Sequence, residues 1–246
     1  MQDRLSETDL DRFANEYYLS DEIDDTDIEE LAQTYSIPPI LAATEAAPRL
    51  LEMGYGTGLI ARELLAAGRS IEIVEGSGQL VAEAQRRHAQ DPVEFHHSMF
   101  EAFQPTEPYD AVLALHVLEH VDDPVGLARR IIEWLRPGGV IVAVTPNANS
   151  IHRQLGVAMG VQERLDDLSA RDHLVGHRRV YELHELCGDL SAAGFEIIDT
   201  FGYFVKPLSN GQMIDWSPAV LAGLNAISGQ VPAELCANIG VIARRH

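Results

Sequence analysis

A glycine-rich turn flanked by carboxylates carries the clearest chemical signal in the sequence. Residues 52–58 are Glu-Met-Gly-Tyr-Gly-Thr-Gly and follow a short apolar run. Glycines let a backbone turn tightly and approach a ligand closely, and the first amide groups of a following helix point toward that ligand. Glu75 follows Gly58 by 17 residues, at the end of the next apolar run. A carboxylate there can accept both hydroxyls of a ribose, so the turn predicts a nucleoside-binding site.

Two classes of nucleoside cofactor are compatible with this turn. Gly56, Gly58 and Ala61 satisfy the G-x-G-x-x-A form of the dinucleotide fingerprint. Glu52 favours S-adenosylmethionine instead, because a carboxylate at the end of a strand attracts an ammonium group and repels a pyrophosphate. The glycine spacing also begins at Gly54, two residues before the dinucleotide version would start. An NAD(P)-dependent oxidoreductase and a non-catalytic cofactor-binding module both stay open as alternatives.

Histidines that follow the fourth apolar run supply possible general bases. S-adenosylmethionine donates a methyl group by in-line displacement. The protein then mainly positions the nucleophile and sometimes removes a proton. Histidine has the pKa for that task near neutral pH. The histidines in question are His116, His120, His152, His173 and His177. Of these, His116, His120 and His177 are our candidate catalytic residues.

The segment from His116 to His120 also has the spacing of metal ligands. Positions 116, 119 and 120 can share one side of a helical turn. The candidate ligands are His116, Glu119, His120 and His173, with Asp172 or His177 as further donors. Two or three imidazoles suit zinc, iron or manganese better than magnesium. A divalent metal is therefore possible but not the favoured interpretation, and Glu119 and His120 could instead brace the loop.

Strand and helix patterns alternate along the chain and position these residues. Apolar runs predict strands at 49–53, 70–74, 93–97, 110–115, 140–145, 195–205 and 238–244, and helical spacing predicts helices at 58–67, 78–89, 122–135 and 182–193. Uninterrupted apolar strands are typical of a parallel sheet covered by helices on both faces. The sequence thus predicts an α/β, doubly wound, Rossmann-like fold. Ligands of such sheets bind outside the carboxyl ends of the strands.

The same pattern suggests how the chain is organised. We expect an N-terminal helical cap over residues 1–47 and a cofactor-binding domain over residues 48–246. Residues 147–180 and 206–235 interrupt the alternation and are expected to be insertions on the substrate side, because long loops in compact domains are usually functional.

Composition limits the classes of partner. The 246 residues are 46% hydrophobic and carry a formal net charge of −20, which argues against nucleic acid and against anionic membranes as partners. Half of this charge lies in residues 1–35, which contain twelve acids and two arginines. No signal peptide or membrane-spanning run is visible, and Cys187 and Cys236 match no metal or redox spacing. We therefore expect a cytoplasmic protein with free thiols. The sequence does not indicate its oligomeric state.

The sequence resembles the class I S-adenosylmethionine-dependent methyltransferases. It is most similar to the branch with the ubiquinone-pathway O-methyltransferases and small-molecule tailoring enzymes. The motifs that carry the resemblance are LLEMGYGTG (50–58), VEGS (74–77), HHSMFEAF (96–103), YDAVLALHVLEHVDDP (109–124) and LRPGGVIVAVTPNANS (135–150). The resemblance implies a seven-stranded sheet whose last strand is antiparallel, and methyl transfer to an oxygen or nitrogen of a small-molecule acceptor.

The resemblance also implies roles for individual residues. The cofactor-binding set would be Tyr17, Glu52, Gly54, Gly56, Gly58, Glu75, Gly76, Ser77, Ser98, Met99, Phe100, Leu115 and His116. Ser98 stands where the family often has aspartate, and His116 stands where some relatives begin a magnesium-binding E-x-x-E-H segment. Apart from the resemblance, the residue types and positions of Tyr18, His173 and Arg178 make them our candidate acceptor contacts. The Arg178 guanidinium could clamp a carboxylate or phosphate or pair with the protein's own acids.

Overall fold

In the described part of the chain, seven strands form one twisted sheet. The computed structural model describes residues 6–19 and 26–246. The strands are β1 Leu50–Met53, β2 Ile71–Glu75, β3 Val93–His97, β4 Tyr109–Leu115, β5 Leu135–Pro146, β6 Phe195–Tyr203 and β7 Asn238–Arg245. Their order is β3-β2-β1-β4-β5-β7-β6, and β7 is antiparallel to both of its neighbours. The predicted Rossmann-like sheet with an antiparallel last strand is confirmed.

Helices precede the sheet, cover it and fill the two insertions. They are α1 Glu7–Phe13, α2 Thr26–Thr34, α3 Ile37–Ala43, α4 Leu59–Ala66, α5 Gly78–Arg87, α6 Pro124–Trp134, α7 Ile151–Ala158, α8 Ala170–Leu174, α9 Leu183–Ala193, α10 Asn210–Met213 and α11 Pro218–Ala226. A short π-helical segment, Ala14–Tyr18, continues α1. The start of α6 follows the sequence prediction, because Pro124 occupies its first turn and the Asp123 carboxylate accepts the Gly126 amide at 2.8 Å.

Successive residues of the central strands supply two separate hydrophobic cores. Leu51 packs in one cluster with Trp134 of α6, whereas Leu50 packs in the other with Leu64 of α4. All four side chains are at most 2% exposed. This alternation follows from the pleat of a strand, and it shows that both faces of the sheet are covered.

Strand β5 begins earlier than the sequence predicts. It starts at Leu135, directly after α6, rather than at Val140. Leu135 pairs with Tyr109 and Val140 pairs with Ala111, with an irregularity in register between them. Gly138 adopts a positive φ of 78° within the intervening stretch, so these residues bulge out while the strand still follows β4.

The expected N-terminal cap divides into two parts in the structure. Ile40 of α3 is fully buried and belongs to the same core cluster as Leu50. Helix α1 instead lies on the loop after β2, where Asp11 Oδ1 accepts the Ser77 hydroxyl at 2.6 Å and the Gln79 amide at 3.2 Å. Helix α3 is thus part of the domain core, while α1 covers the edge of the sheet where ligands bind.

Candidate functional site

A cavity lies at the carboxyl ends of the central strands and beneath α1. Its volume is about 530 Å³, a size typical of small-molecule sites. Many of the predicted cofactor residues line it, namely Glu52, Gly54, Gly56, Glu75, Gly76, Met99, Phe100, Leu115 and His116. The structure therefore brings to one surface a set of residues that the sequence spreads over 65 positions, from 52 to 116.

Glu75 ends β2 as a buried, firmly held carboxylate. Its Oε2 accepts the backbone N–H of Tyr55 at 2.9 Å, and its Oε1 accepts that of Ser77 at 2.7 Å. Burial raises the pKa of Glu75, and these two hydrogen bonds oppose the rise. Each oxygen of a carboxylate can accept a further hydrogen bond, so the carboxylate remains able to accept ligand hydroxyls.

Glu52 is a buried acid that lacks a full set of partners. It lies on β1, is 4% exposed, and its Oε2 has no hydrogen-bond partner among residues 6–19 and 26–246. Burial, and then the nearby charge of Glu75, raise the pKa of Glu52 well above its ordinary value. A buried charge without a partner is unfavourable, so this carboxyl suits a cationic ligand group in the cavity.

The glycine turn between β1 and α4 needs glycine for two reasons. Gly54, Gly56 and Gly58 all have positive φ, of 80°, 53° and 76°. A β-carbon at Gly58 would also collide with the phenol of Tyr55. Gly58 begins α4 but does not line the cavity, whereas Gly54 and Gly56 do. Gly58 thus shapes the turn, and the other two glycines present backbone to the cavity.

The loop after β2 is covered by α1. A β-carbon at Gly76 would collide with Leu10 and would lie 3.1 Å from the sulfur of Met99. Leu10, Gly76 and Met99 all line the cavity. Leu10 and Met99 thus pack against Gly76, and the three residues form an apolar part of the cavity wall at the end of β2.

Two serines predicted to bind the cofactor have other partners. Besides donating to Asp11, the Ser77 hydroxyl accepts the Leu80 amide at 3.2 Å and so caps α5. The Ser98 hydroxyl donates to the carbonyl of Met99 at 3.0 Å. Neither serine lines the cavity. Ser77 instead joins the loop after β2 to the covering helix α1.

His116 follows β4 and combines backbone strain with a buried ion pair. Its φ is 55°, a conformation that costs a non-glycine residue about 1–2 kcal/mol. Its Nδ1–H donates to Oε1 of the fully buried Glu119 at 3.2 Å. Burial opposes a charge on His116, but the hydrogen bond and charge of Glu119 raise its pKa above the ordinary value. Strained residues of this kind concentrate at functional sites.

Tyr203 comes from the edge strand β6 and approaches His116. It ends β6, is 3% exposed, and its hydroxyl lies 3.4 Å from Nε2 of His116. Burial, together with the charges of Glu29 and Glu119, raises the pKa of Tyr203 well above its ordinary value. The phenol is therefore uncharged and able to exchange hydrogen bonds with the imidazole.

A contact between two histidines joins the loop after β4 to the first insertion. The rings of His120 and His177 meet edge to face, with centroids 4.7 Å apart. The His177 Nδ1–H donates to Asp172 Oδ1 at 2.7 Å, and Asp172 Oδ2 accepts from Arg153 Nη2 at 2.8 Å. Burial is the main cause that lowers the pKa of His120 to about 4. Helices α7 and α8 thus hold His177 against His120 beside the cavity.

The donor atoms that converge differ from the metal ligands predicted from the sequence. One donor atom each from Glu119, His120 and His177 lie within 4.8 Å of one another. Oε2 of Glu119 has no hydrogen-bond partner among the described residues. His116 instead occupies the other oxygen of Glu119. His173 is exposed on α8 and does not line the cavity.

The predicted acceptor residues are placed unevenly. Arg178 lines the cavity while its guanidinium pairs with Asp122, and its backbone N–H donates to the Glu119 carbonyl at 2.8 Å. Tyr18 also lines the cavity and approaches Gly56. The side chain of Tyr17 lies outside the part of the chain that the structure describes.

The cap and β6 contribute cavity residues that the sequence did not indicate. These are Leu10, Phe13, Gln33, Ser36 and Tyr203. The three-residue spacing of Leu10 and Phe13 is a signal for one apolar helix face, although it does not say what that face covers. Tyr203 has no local signal, because its role depends on the order of the strands.

Comparison with known proteins decides the family. A family model described as "Methyltransferase domain" matches residues 26–200, more than half of the chain. The chain belongs to the class I S-adenosylmethionine-dependent methyltransferases. This confirms the resemblance seen in the sequence, and it identifies S-adenosylmethionine rather than a dinucleotide as the cofactor of this methyltransferase.

Curated relatives are O-methyltransferases. The methyltransferase is 27% identical over 166 residues to a ubiquinone biosynthesis O-methyltransferase of Aeromonas salmonicida, covering 66% of this chain and 68% of the relative. It is 30% identical over 167 residues to the Methylocella silvestris protein of the same name, covering 66% and 64%. The chain thus spans about two thirds of the length of the curated relatives that it matches.

Solved structures share the fold at low sequence identity. An S-adenosylmethionine-dependent methyltransferase from Mesorhizobium loti aligns with a TM-score of 0.61 at 17% identity, over 86% of this chain and 98% of that one. An N-methyltransferase from Bradyrhizobium japonicum in complex with S-adenosyl-L-homocysteine aligns with a TM-score of 0.56 at 12% identity, over 97% of both chains. Within residues 6–19 and 26–246, this methyltransferase has no helix of the length and apolar character needed to cross a bilayer.

Proposed function

We propose that this methyltransferase transfers the methyl group of S-adenosylmethionine to a hydroxyl oxygen of a small organic acceptor. The observation that carries the proposal is the His116–Glu119 pair at the cavity. A hydroxyl group must lose its proton as the new bond to carbon forms, so it needs a base within hydrogen-bond reach. An amine acceptor is the second candidate, because an ammonium group must also lose a proton before it can accept a methyl group.

The cofactor's groups fit the residues of the cavity. When bound, S-adenosylmethionine supplies an electrophilic methyl group on its sulfonium. The unpartnered carboxyl of Glu52 would bind the cofactor's ammonium group. Glu75, fixed by two backbone amides, would accept the ribose hydroxyls. The apolar wall formed by Gly76, Met99 and Leu10 would face the adenine ring.

The base step would belong to His116. Its Nδ1–H donates to Glu119, so Nε2 is the nitrogen that would take the acceptor's proton. The Glu119 carboxylate would then stabilise the imidazolium that forms. The Tyr203 hydroxyl, 3.4 Å from the same nitrogen, would orient the acceptor oxygen toward it. Proton removal by a positioned base contributes roughly 100-fold or more to a rate.

A divalent metal would find its ligands in the same segment. Glu119 Oε2, His120 and His177 converge, and Asp172 accepts the other N–H of His177, as carboxylates behind metal-bound histidines usually do. Two imidazoles and one carboxylate suit zinc, iron or manganese better than magnesium. His116 and His173, which the sequence also suggested, would not be ligands.

The acceptor would lie between the cofactor and the parts of the chain outside the core. We assign this wall to the cap helices α1 and α2 and to the 147–180 insertion, with Tyr18 and Arg178 at its rim. Arg178 already pairs with Asp122, so an anionic acceptor group would have to compete with that carboxylate. His173 contributes no surface to the cavity and is not part of this proposal.

An acceptor screen tests the proposed function. Purified protein, S-adenosylmethionine and a panel of hydroxylated and amine-bearing small molecules are incubated, and S-adenosylhomocysteine formation is measured. We expect turnover with hydroxylated acceptors and a loss of roughly 100-fold in kcat for His116→Gln. Turnover with amines alone would overturn the proposed oxygen acceptor. Unchanged kcat in His116→Gln would overturn the proposed base.

A further inference from the structure

We infer that Tyr55 is a positioning residue, which holds the glycine turn and Glu75 in place for the cofactor through a hydrogen-bond chain to His88 and Asp91. The residue lies between Gly54 and Gly56 of the turn. Its ring packs in the core cluster with Ile60 and Leu64 of α4, and the residue also lines the cavity. Nothing about its residue type marks it as a cofactor residue from the sequence.

The two ends of Tyr55 act on different parts of the site. Its backbone N–H donates to Oε2 of Glu75 at 2.9 Å, so the position of this amide fixes one oxygen of the ribose-binding carboxylate. Its ring passes beneath Gly58 so closely that a β-carbon there would overlap the phenol. The phenol therefore supports the turn at Gly58, and we expect a shift of the ring to displace the turn.

The phenol is held by a chain of polar groups that leads to the surface. The Tyr55 hydroxyl lies 3.1 Å from His88 Nε2, and His88 Nδ1 lies 2.8 Å from Asp91 Oδ2. Because a carboxylate only accepts, Nδ1 carries the proton and Nε2 accepts from the phenol. The positive charge of Arg87 also acts on this phenol, where it opposes the rise in pKa that burial causes. The Tyr55 hydroxyl thus has a hydrogen-bond acceptor in His88.

Aromatic contacts restrict the ring as well. It meets His88 edge to face with centroids 5.9 Å apart, and it meets Phe95 of β3 in the same way at 6.0 Å. These contacts persist if the hydroxyl alone is removed. Tyr55→Phe therefore tests the hydrogen-bond chain without emptying the space beneath the turn.

The matched control is Tyr109, a second buried tyrosine whose hydroxyl is bonded to a side chain. Its hydroxyl donates to Glu72 Oε2 at 2.6 Å, and the residue is fully buried at the start of β4. It lies at the opposite end of that strand from the cavity and does not line it. Tyr109→Phe thus also removes one buried hydroxyl, but this hydroxyl does not contact the glycine turn.

The experiment measures the Kd of S-adenosylhomocysteine by calorimetry, together with kcat and the KM for S-adenosylmethionine. It rests on the cofactor assignment, which binding to the wild-type protein checks separately. We expect Tyr55→Phe to raise Kd and KM about fivefold, the effect of one lost hydrogen bond, with kcat changed less than twofold. Asp91→Asn, at the outer end of the chain, should raise Kd about twofold, and Tyr109→Phe should leave Kd unchanged.

Two results would overturn the inference. One is a Kd for Tyr55→Phe within the error of the wild-type value. The other is an equal weakening in Tyr109→Phe, which would show that the loss follows from general destabilisation. If Tyr55→Phe does not fold, Asp91→Asn decides alone, because its side chain is largely at the surface: an unchanged Kd then overturns the role of the chain.

Discussion

The imidazole of His116 and the carboxylate of Glu119 form an ion pair that is three residues apart in sequence and 3.2 Å apart in space. Glu119 is fully buried, so water weakens this interaction less than it would weaken an ion pair at the surface. A left-handed backbone at His116 turns the imidazole toward the carboxylate just after β4. The pair therefore sets both the orientation of the base and the pH range in which it is neutral.

The first prediction concerns the pH dependence of methyl transfer. The base must be neutral, and Glu119 raises the pKa of His116, so kcat/KM should rise with pH through a pKa above 6.5. Glu119→Gln removes the charge that stabilises the imidazolium, so the rising limb should move to lower pH and kcat should fall roughly 100-fold. The measurement is a pH–rate profile of both proteins. A limb that keeps its position in Glu119→Gln would contradict the assignment.

The second prediction concerns Glu52 and proton release. The raised pKa of Glu52 means that this carboxyl tends to hold a proton in the free protein, whereas an ammonium ligand favours the charged form. The affinity for S-adenosylmethionine should therefore increase as pH rises through that pKa, and binding should release a proton. Calorimetry in buffers of different ionisation enthalpy counts the proton.

Glu52→Gln provides the matching variant. It should weaken binding roughly 100-fold, because about 3 kcal/mol is typical for loss of one partner of a buried charge pair. It should also raise the melting temperature of the free protein. A carboxyl whose pKa is raised by folding destabilises the folded state at neutral pH, and glutamine removes that effect. Tight binding that does not depend on pH in this variant would contradict the role of Glu52.

The third prediction concerns the attachment of α1. Asp11 accepts hydrogen bonds from Ser77 and Gln79, next to the apolar wall proposed to face the adenine ring. Asp11→Ala should raise the KM for S-adenosylmethionine about tenfold, as expected for loss of about 1.5 kcal/mol from hydrogen bonds to a charged group. Glu16→Gln, an exposed acid that follows α1, is the control and should leave KM unchanged. Equal effects of the two substitutions would point to charge alone.

The fourth prediction concerns the proposed metal ligands. Zinc or manganese titrated into metal-free protein should bind once per chain, and His177→Ala should abolish binding. His173→Ala should bind metal like the wild type, because His173 lies on the same insertion but is exposed. Calorimetry on the three proteins measures this directly. Retained stoichiometric binding in His177→Ala would exclude the cluster as the site.

The fold could be predicted because its determinants are local. Apolar strands such as 110–115 are covered on both faces and show no alternation, and glycines or prolines end the neighbouring helices. The cofactor half of the site could be predicted for a related reason. Glu52 and Glu75 lie at the carboxyl ends of β1 and β2, His116 follows β4 directly, and parallel strands bring their carboxyl ends to one edge.

The rest of the site depends on contacts that no local pattern encodes. His177 reaches His120 because the Arg178 amide donates to the Glu119 carbonyl, which joins the insertion to the loop after β4. Tyr203 ends β6 and His116 follows β4, and in the sheet β5 and β7 lie between these two strands. The contact between the two residues therefore depends on the order of the strands. Ser77 and Ser98 are assigned to the cofactor from the sequence, but the structure shows their hydroxyls bonded to protein groups.

The placement of α1 also bears on how the enzyme completes a cycle. Leu10 lies over Gly76, and Phe13 of the same helix lies against Gly176 of the insertion, so one short helix closes the cavity from both sides. S-adenosylhomocysteine keeps every group of the cofactor except the transferred methyl, and it is therefore held by the same contacts. We therefore expect release of product to involve movement of α1, so that displacement of a seven-residue helix would accompany each turnover.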